Sequence, residues 1–482
     1  MSERSWPLAV PDGHISDAPA IVSANGVVTF SKYAEHVERI AGVFHRSGVR
    51  PGDRIAILSL PSADYPKLLM GCFHAGAVAC PLNTRVPRQS LSDFCERLGV
   101  KALCVDEGFS DVTFDATPSL EVAEILEAYP SEPAPHLLDP RQPAVILSTS
   151  GSSGEPKSAL HTLSSLSQNA FASNRNLPLR TGDRWLLSLP LFHVSGLGIL
   201  FRCLWSGAAL VVRHPEDSLE DIILEQEVTH VSLVATQLFR LLQTKKGMEA
   251  LGKLKAILVG GSAIPSSIIG EAYVRKLPVC ATYGLTEMGS QVTATHPGDP
   301  LRTLQTSGRP LLPNTVAISP DGEILVRGAT LFQGYVDGGV ADLPLTPDGW
   351  FATGDLGEFD ETGNLRVHGR RDNMFISGGE NIQPEEVERW LCRLEGVVEA
   401  VVVPVQNAEF GARPVAFVRV AQKEFMQPVR FQLFLEENIP GYKVPDIFLP
   451  WPDERDEQGM KTNREHLREL AELLQQNGDM LE

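Results

Sequence analysis

The segment Ala144–Thr162, AVILSTSGSSGEPKSALHT, holds the densest group of residues able to bind a charged ligand. A short apolar run, Ala144–Leu147, feeds a loop containing Thr149, Ser150, Gly151, Ser152, Ser153, Gly154 and Lys157. Glycine lets backbone N–H groups approach an oxyanion closely, hydroxyls add donors, and the lysine adds positive charge. This composition suits a phosphate cradle, although the GxxxxGK[ST] spacing of a Walker A loop is absent. The competing reading is a solvated Ser/Gly linker.

Four later clusters bear on that choice. ATYGLTE sets Thr286 and Glu287 beyond a strand-like run, Val279–Thr282. A carboxylate there could hold Mg²⁺ against phosphate oxygens, because this ion takes few protein oxygens alongside those of its substrate. GWFATGD ends at Asp355, a carboxylate suited to accepting both hydroxyls of a ribose. GRRDN places Arg370 and Asp372 at the join between two expected domains, and GMKTNR offers Lys461 near the end of the chain. Singly, each is more often a solvated turn charge than a site.

The elements that must position these residues alternate early. Ser31 is expected to cap a helix whose apolar positions Tyr33, Val37, Ile40, Ala41 and Phe44 keep helical spacing up to Gly48. Pro51-Gly52-Asp53 then turns into Ile55–Leu60, the apolar run of a buried strand. Helix followed by strand recurs at Tyr65–Ala75 into Ala77–Leu82 and at Leu219–Gln226 into His230–Val234, while Ala256–Val259 ends at Gly260-Gly261. This alternation predicts α/β layering with largely parallel strands.

The texture changes after about Gly322. Glu323–Arg327, and Gly357–Asp360 joined to Leu365–His368, read as antiparallel hairpins. Beyond Arg370 a separate α+β unit is expected. Pro384 opens a helix with Glu385 and Glu386 at its positive end, Val387, Trp390, Leu391 and Leu394 form one apolar stripe, and Gly396 ends it before the strand Val397–Val403. The expected fold class is therefore α/β: a large N-terminal domain of layered α/β subdomains plus a β-rich part (residues 1–369), a hinge at 370–372, and a small mobile C-terminal α+β domain (residues 373–482).

A chain of 482 residues exceeds what one hydrophobic core serves, and a formal charge of −18 argues against nucleic acid as a partner. An anionic ligand must then be held by a local site rather than by the overall field. Seven cysteines without CxxC pairs suit buried thiols in a reducing compartment, and MSERSWPLAVPDG lacks the build of a signal peptide, so a cytoplasmic protein is expected. Val194–Val212 is long enough to span a bilayer, but Arg202 at its centre and three glycines make buried core the better reading. The sequence is silent on oligomeric state.

Together the clusters are specific. The order TSGSSGEPK, YGLTE, TGD, GRRD and a late K-x-x-R resembles the acyl-adenylate-forming (AMP-binding) superfamily of acyl-CoA synthetases, peptide-synthetase adenylation domains and luciferases, from about Thr29 to Arg464. One departure is Ser153, where the family usually has threonine; a hydroxyl is retained. The resemblance implies ATP, Mg²⁺ and coenzyme A as ligands and a small-molecule carboxylic acid as substrate. It implies that Thr149, Ser150, Gly151, Ser152, Ser153, Gly154 and Lys157 order the β- and γ-phosphates. Tyr283 would stack on adenine opposite Gly260-Gly261-Ser262, Thr286 would contact the α-phosphate, and Glu287 would bind the metal. Asp355 and Arg370 would hold the ribose, Asp372 would be the hinge, and Lys461 would bridge the acid and the α-phosphate. Rotation about Asp372 would bring Ser377-Gly378-Gly379-Glu380 toward the thiol.

The segment Leu186–Leu210, LLSLPLFHVSGLGILFRCLWSGAAL, is then expected to line the acyl pocket. Arg202 lies in a run too apolar for the surface, where a guanidinium is costly without an anion. That anion is either an internal Asp or Glu or a second carboxylate on the substrate, held in a bidentate pair. His193 likewise reads either as a satisfied core histidine or as a substrate contact. LSLPLFHVSGLGILFRCLWSGA, with VSLVATQLFRLL and SGGENIQPEEVE, is similar to the 2-succinylbenzoate–CoA ligases of menaquinone biosynthesis, whose substrate is a diacid. This resemblance implies that His193, Ser195 and Arg202 face the acid. The alternative is an acyl-CoA ligase for an aryl or medium-chain acid, with Arg202 structural.

Overall fold

Short apolar runs interleaved with amphipathic helices build two large sheets in the computed structural model, which describes residues 16–114, 117–127, 139–149, 157–214, 216–262, 264–337, 340–407, 409–452 and 464–477. Among the described residues, one sheet orders its nine strands as Arg309–Pro310, Ser290–Ala294, Val279–Leu285, Ala256–Val259, His230–Leu233, Arg184–Leu186, Ala209–Val211, Pro19–Ser23 and Gly26–Thr29. Its inner pairings are parallel and its edges antiparallel. The other runs Val340–Asp342, Gly334–Asp337, Lys157–Thr162, Pro143–Thr149, Val78–Pro81, Arg54–Leu58, Ala102–Val105 and Ser119–Glu121, parallel from Pro143–Thr149 onward. Strands such as Ala256–Val259 and Ala102–Val105 are buried along their whole length, as parallel strands covered by helices require.

The first helix, Phe30–Arg46, buries Tyr33, Val37, Ile40, Ala41 and Phe44 as their spacing predicts. Its cap differs from expectation. Thr29 has the extended backbone of an N-cap and its side chain accepts from the Lys32 N–H, whereas Ser31 lies inside the first turn and bonds to Thr29 Oγ1 at 3.0 Å. The helix crosses Tyr65–His74 at Gly71, where a Cβ would meet Ile40 Cγ2 at 2.3 Å. Val194–Val212 folds as the helix Val194–Ser206, ended by Gly207 at φ +72°, and the strand Ala209–Val211. No helix among the described residues is long and apolar enough to cross a membrane. All seven cysteines are free and buried.

The β-rich part is a four-stranded antiparallel sheet of Thr315–Ile318, Glu323–Arg327, Phe351–Phe359 and Leu365–Arg370. The last two strands are longer than expected because alternate residues of Phe351–Phe359 turn inward from Phe351 onward. This pairing sets Asp355 directly opposite Arg370. Arg371 then rivets the strand's end to the same sheet, 2.5 Å from Asp321 and 3.2 Å from Glu323.

Past Asn373 the strand Val397–Asn407 pairs with Gly411–Val420, and that strand with Ile447–Pro450. Val397–Asn407 runs beyond the expected Val403 because Pro404 faces Pro414 across the ladder, so neither removes a needed donor. Its alternation serves two cores. Ala400 and Val402 pack with Val387, Leu391, Phe431 and Leu435, while Val401, Val403 and Val405 pack under Leu467 and Ala471 of the last helix, Arg464–Asn477.

Glu385 and Glu386 do more than favour the helix Pro384–Leu391 electrostatically. Glu386 pairs with Lys443 at 2.6 Å, and Arg464 bridges Glu388 at 2.5 Å and Glu385 at 3.5 Å while donating to the Val402 carbonyl. Burial raises the Glu388 carboxyl even with Arg464 beside it. Arg464→Leu should therefore destabilise the protein by about 3 kcal/mol, because a carboxylate stays buried without its partner. Calorimetric unfolding checks this, and Arg464→Leu combined with Glu388→Leu should recover much of the loss.

Candidate active site

The residues singled out by sequence converge on one hairpin. Strand Val279–Leu285 leaves the parallel sheet with Tyr283, turns through the 3₁₀ segment Thr286–Met288, and returns as Ser290–Ala294. Gly284 is obligatory, since a Cβ there would lie 2.0 Å from the Ser290 carbonyl oxygen. Gly289 takes a left-handed φ of +67° to close the turn. Two buried side chains hold it from outside. Asn169 Nδ2 donates to the carbonyls of Met288 and Gln291 at 3.0 and 2.8 Å. His161 Nε2 lies 2.7 Å from the Thr286 carbonyl, an acceptor only, so this nitrogen carries the proton.

The strand pair expected to carry a phosphate loop meets the turn through His161. Thr149 and Lys157 face each other at the open end of a strand pair, and the loop residues Ser150, Gly151, Ser152, Ser153 and Gly154 lie outside the described residues. Lys157 Nζ sits 4.9 Å from the centre of the Tyr335 ring, and the Tyr335 hydroxyl donates to Glu287 Oε1 at 2.7 Å. Glu287 is half-buried and forms no salt bridge among the described residues. One carboxylate oxygen therefore stays free to meet a hard cation, which fits Mg²⁺. Burial, then the Glu287 carboxylate, pushes the Tyr335 hydroxyl well above its ordinary range, so it stays a donor.

The residues expected to take a ribose, Asp355 and Arg370, lie on the antiparallel sheet. Asp355, 9% exposed, accepts from the Tyr283 hydroxyl at 2.6 Å and from Arg370 Nη1 at 3.2 Å. Arg370 also donates to the Thr353 carbonyl and meets Asp372 at 3.2 Å. Burial opposes the charge on Arg370, but Asp355 and Asp372 outweigh it and raise its pKa. Asp372 lies in the short turn Arg371–Asn373, and Gln383 and Glu385 of the C-terminal part reach back to the Arg370 carbonyl and to Asn373. Gly260, Gly261 and Ser262 end the strand next to Tyr283; a Cβ at Gly260 would lie 2.7 Å from Thr282 Cγ2. Lys461 lies outside the described residues.

The segment expected to line an acyl pocket includes the helix Val194–Ser206. His193 is its N-cap residue, packs its ring 4.7 Å from Phe192 and is half-exposed, which departs from the core-histidine reading. Ser195 is half-exposed too, and Arg202 follows two turns later on the same side. Arg202 is 1% exposed. Its Nη2 donates to Ser290 Oγ at 3.3 Å, its guanidinium lies 5.2 Å from the Trp185 ring, and its Nε has no partner. Among the described residues no carboxylate pairs with it, so the internal salt bridge is not found. Burial lowers its pKa to about 10. An unpaired buried cation is costly.

Tyr335, His161, Asn169 and Ser290 escaped sequence reading. No spacing signal links them to their partners, which are 48 to 125 residues away along the chain. Only the sheet order, which sets Tyr335 beside Ala159 and Lys157–Thr162 near Thr286, brings them in.

Comparison with known proteins gives a consistent picture. The family model described as AMP-binding enzyme matches residues 11–336, and the AMP-binding enzyme C-terminal domain matches residues 386–454. A 2-succinylbenzoate–CoA ligase of Salmonella typhimurium is 35% identical over 473 residues, covering 97% of this chain and 98% of that protein. An arginine-to-lysine variant of E. coli MenE with bound OSB-AMS superposes with a TM-score of 0.86 at 30% identity, covering 98% of this chain and 99% of that one. The O-succinylbenzoate coenzyme A synthetase (MenE) from Bacillus subtilis, in complex with ATP and magnesium ion, gives 0.78 at 29% identity, with 90% and 93% covered.

The support of the turn by His161 can be tested without substrate. Burial lowers the His161 pKa from 6.5 to about 4, so the unfolded chain binds the extra proton first. Its contribution to stability is complete above pH 6.5 and is lost as pH falls toward 4. His161→Gln keeps a donor for the Thr286 carbonyl and removes the titration. Urea unfolding between these pH values should then show a dependence shallower by about 1.4 kcal/mol per pH unit than in the parent.

Proposed function

The chain belongs to the AMP-binding enzyme family, and from that membership we propose that it is an AMP-forming acid–thiol ligase that activates 2-succinylbenzoate with ATP and passes the acyl group to coenzyme A, as in menaquinone biosynthesis. The observation that carries the choice of acid is Arg202, a buried guanidinium on an otherwise apolar helix, with no carboxylate partner among the described residues. A monoacid would leave it unpaired, whereas the ring carboxylate of 2-succinylbenzoate supplies the missing anion.

In the first half-reaction an oxygen of the succinyl carboxylate attacks the α-phosphorus and pyrophosphate leaves. Two anions must meet, so their repulsion is offset by Lys461 between carboxylate and α-phosphate. Thr149, Ser150, Gly151, Ser152, Ser153, Gly154 and Lys157 hold the β- and γ-phosphates, and Thr286 donates to the α-phosphate. Mg²⁺, held by Glu287 and the phosphates, supplies further charge neutralisation. Tyr283 and Gly260-Gly261-Ser262 enclose the adenine, while Asp355 and Arg370 take the ribose hydroxyls. Because the Tyr283 hydroxyl holds one Asp355 oxygen, that carboxylate is already oriented before the nucleotide arrives. His193 and Ser195 border the acid on the side opposite the nucleotide.

In the second half-reaction the thiol of coenzyme A attacks the acyl carbonyl and AMP leaves. The mixed anhydride hydrolyses readily, so water must stay out until the thiol arrives. Residues 1–369 act as the adenylation domain, and residues 373–482 rotate about the hinge 370–372. Rotation withdraws Lys461 and brings the Ser377–Glu380 turn to the thiol path. The need for ATP and coenzyme A supports a cytoplasmic reading of the protein.

Arg202→Leu should weaken use of the diacid by about 2–5 kcal/mol, because its ring carboxylate is desolvated without a partner. Arg202→Lys should recover only part of this, since an ammonium lacks the planar fork. Steady-state kcat/KM for 2-succinylbenzoate and for the monoacid lacking the ring carboxylate checks both; equal losses on the two acids would make Arg202 structural. Lys461→Ala should abolish adenylate formation and spare thiolysis of supplied acyl-adenylate. Single-turnover assays of each half-reaction separate the two, and equal loss in both would remove Lys461 from its assigned role.

A further inference from the structure

We propose that Ser290 is a second specificity-determining residue, whose hydroxyl accepts a hydrogen bond from Arg202 and donates its own proton to the same substrate carboxylate. The inference rests on the diacid reading above and deepens it. Ser290 has φ +133°, a conformation that L-residues rarely adopt and one that lies well outside the ordinary left-handed region of Glu227 and Lys276. Strain of this kind persists only where neighbours over-determine it. Here they do: Asn169 clamps the carbonyls of Met288 and Gln291 on either side, and Gly284 packs against the Ser290 carbonyl with no room for a Cβ.

The strained backbone aims Oγ at the guanidinium, 3.3 Å from Nη2. The helix makes space for this meeting. A Cβ at Gly198 would stand 3.1 Å from Arg202 Nη2 and 3.3 Å from Ser290 Oγ. Arginine has no acceptor, so the serine oxygen must accept and its proton is free to point elsewhere. Among the described residues no acceptor takes it. Ser290 is partly exposed whereas Arg202 is 1% exposed, so the serine is the more accessible of the two. A carboxylate entering the pocket meets the hydroxyl and the guanidinium together.

Ser290 also ends the turn that carries Thr286 and Glu287. The anchor for the distal carboxylate and the residues at the reacting phosphates are therefore set at a fixed separation by one short stretch of backbone. This makes the pocket a gauge of the distance between the two carboxylates of the acid.

The test uses Ser290→Ala and Ser290→Gly in the full chain. Glycine removes the hydroxyl while accepting φ +133°, so it remains informative if the alanine variant folds poorly. Both should raise the KM for 2-succinylbenzoate about 5- to 20-fold with a much smaller change in kcat, as expected for losing a hydrogen bond to a charged group. The ratio of kcat/KM for diacid over monoacid should fall by a similar factor, and the glycine variant should melt no lower than the parent. An unchanged diacid KM, or equal losses on both acids, overturns the inference. Arg202→Leu measured alongside separates the two readings. If it is selective for the diacid and the serine variants are not, the role of Ser290 fails while the diacid assignment stands. If it too is unselective, the diacid assignment itself fails.

Discussion

A backbone approach that admits no side chain, Gly284 against the Ser290 carbonyl, sets the geometry on which the rest of the site depends. Closing the hairpin at that point places four consecutive demands on one short run of chain. Tyr283 reaches Asp355, the Thr286 carbonyl reaches His161, Glu287 reaches Tyr335, and Ser290 reaches Arg202. The first belongs to the antiparallel sheet, the next two to the phosphate-side sheet, and the last to the acyl helix. Parts of the protein far apart in sequence are thus brought into register by one tight turn, whose outer face is locked by Asn169.

Electrostatics follow from the same arrangement. The chain as a whole carries −18, yet it must gather anionic ligands. One cation, Arg202, is buried with no carboxylate beside it among the described residues. It is packed on Trp185 and bonded to a neutral hydroxyl, so neither contact cancels its charge. Arg370 is the contrasting case. Asp355 and Asp372 already surround it, so its charge is met within the protein and ties the strand Phe351–Phe359 to the turn Arg371–Asn373.

Much of this was legible in sequence where the signal is local. YGLTE, TGD and GRRD each fall within one turn or strand, so their residues appear together in the chain as they do in space. Fully apolar runs such as Ala256–Val259 announced parallel strands, and the Val194–Val212 run announced buried core through Arg202 and its glycines. Choices between near neighbours were not legible. Thr29 and Ser31 both carry a capping hydroxyl, and only the backbone at Thr29 decides between them. Tyr335, His161 and Asn169 were invisible because their partners come from sheet order rather than spacing. Whether Arg202 meets an internal carboxylate is likewise a question about three-dimensional neighbours that no local pattern answers.

The position of Tyr335 carries a consequence for how opposite charges coexist in so small a space. Its ring lies against Lys157 and its hydroxyl holds Glu287, so one side chain contacts both a cation and an anion. A direct ion pair would neutralise both charges at once. Tyr335 acts as an insulator: it stabilises each charge by a contact that does not cancel it, and both remain available to ligands of opposite sign.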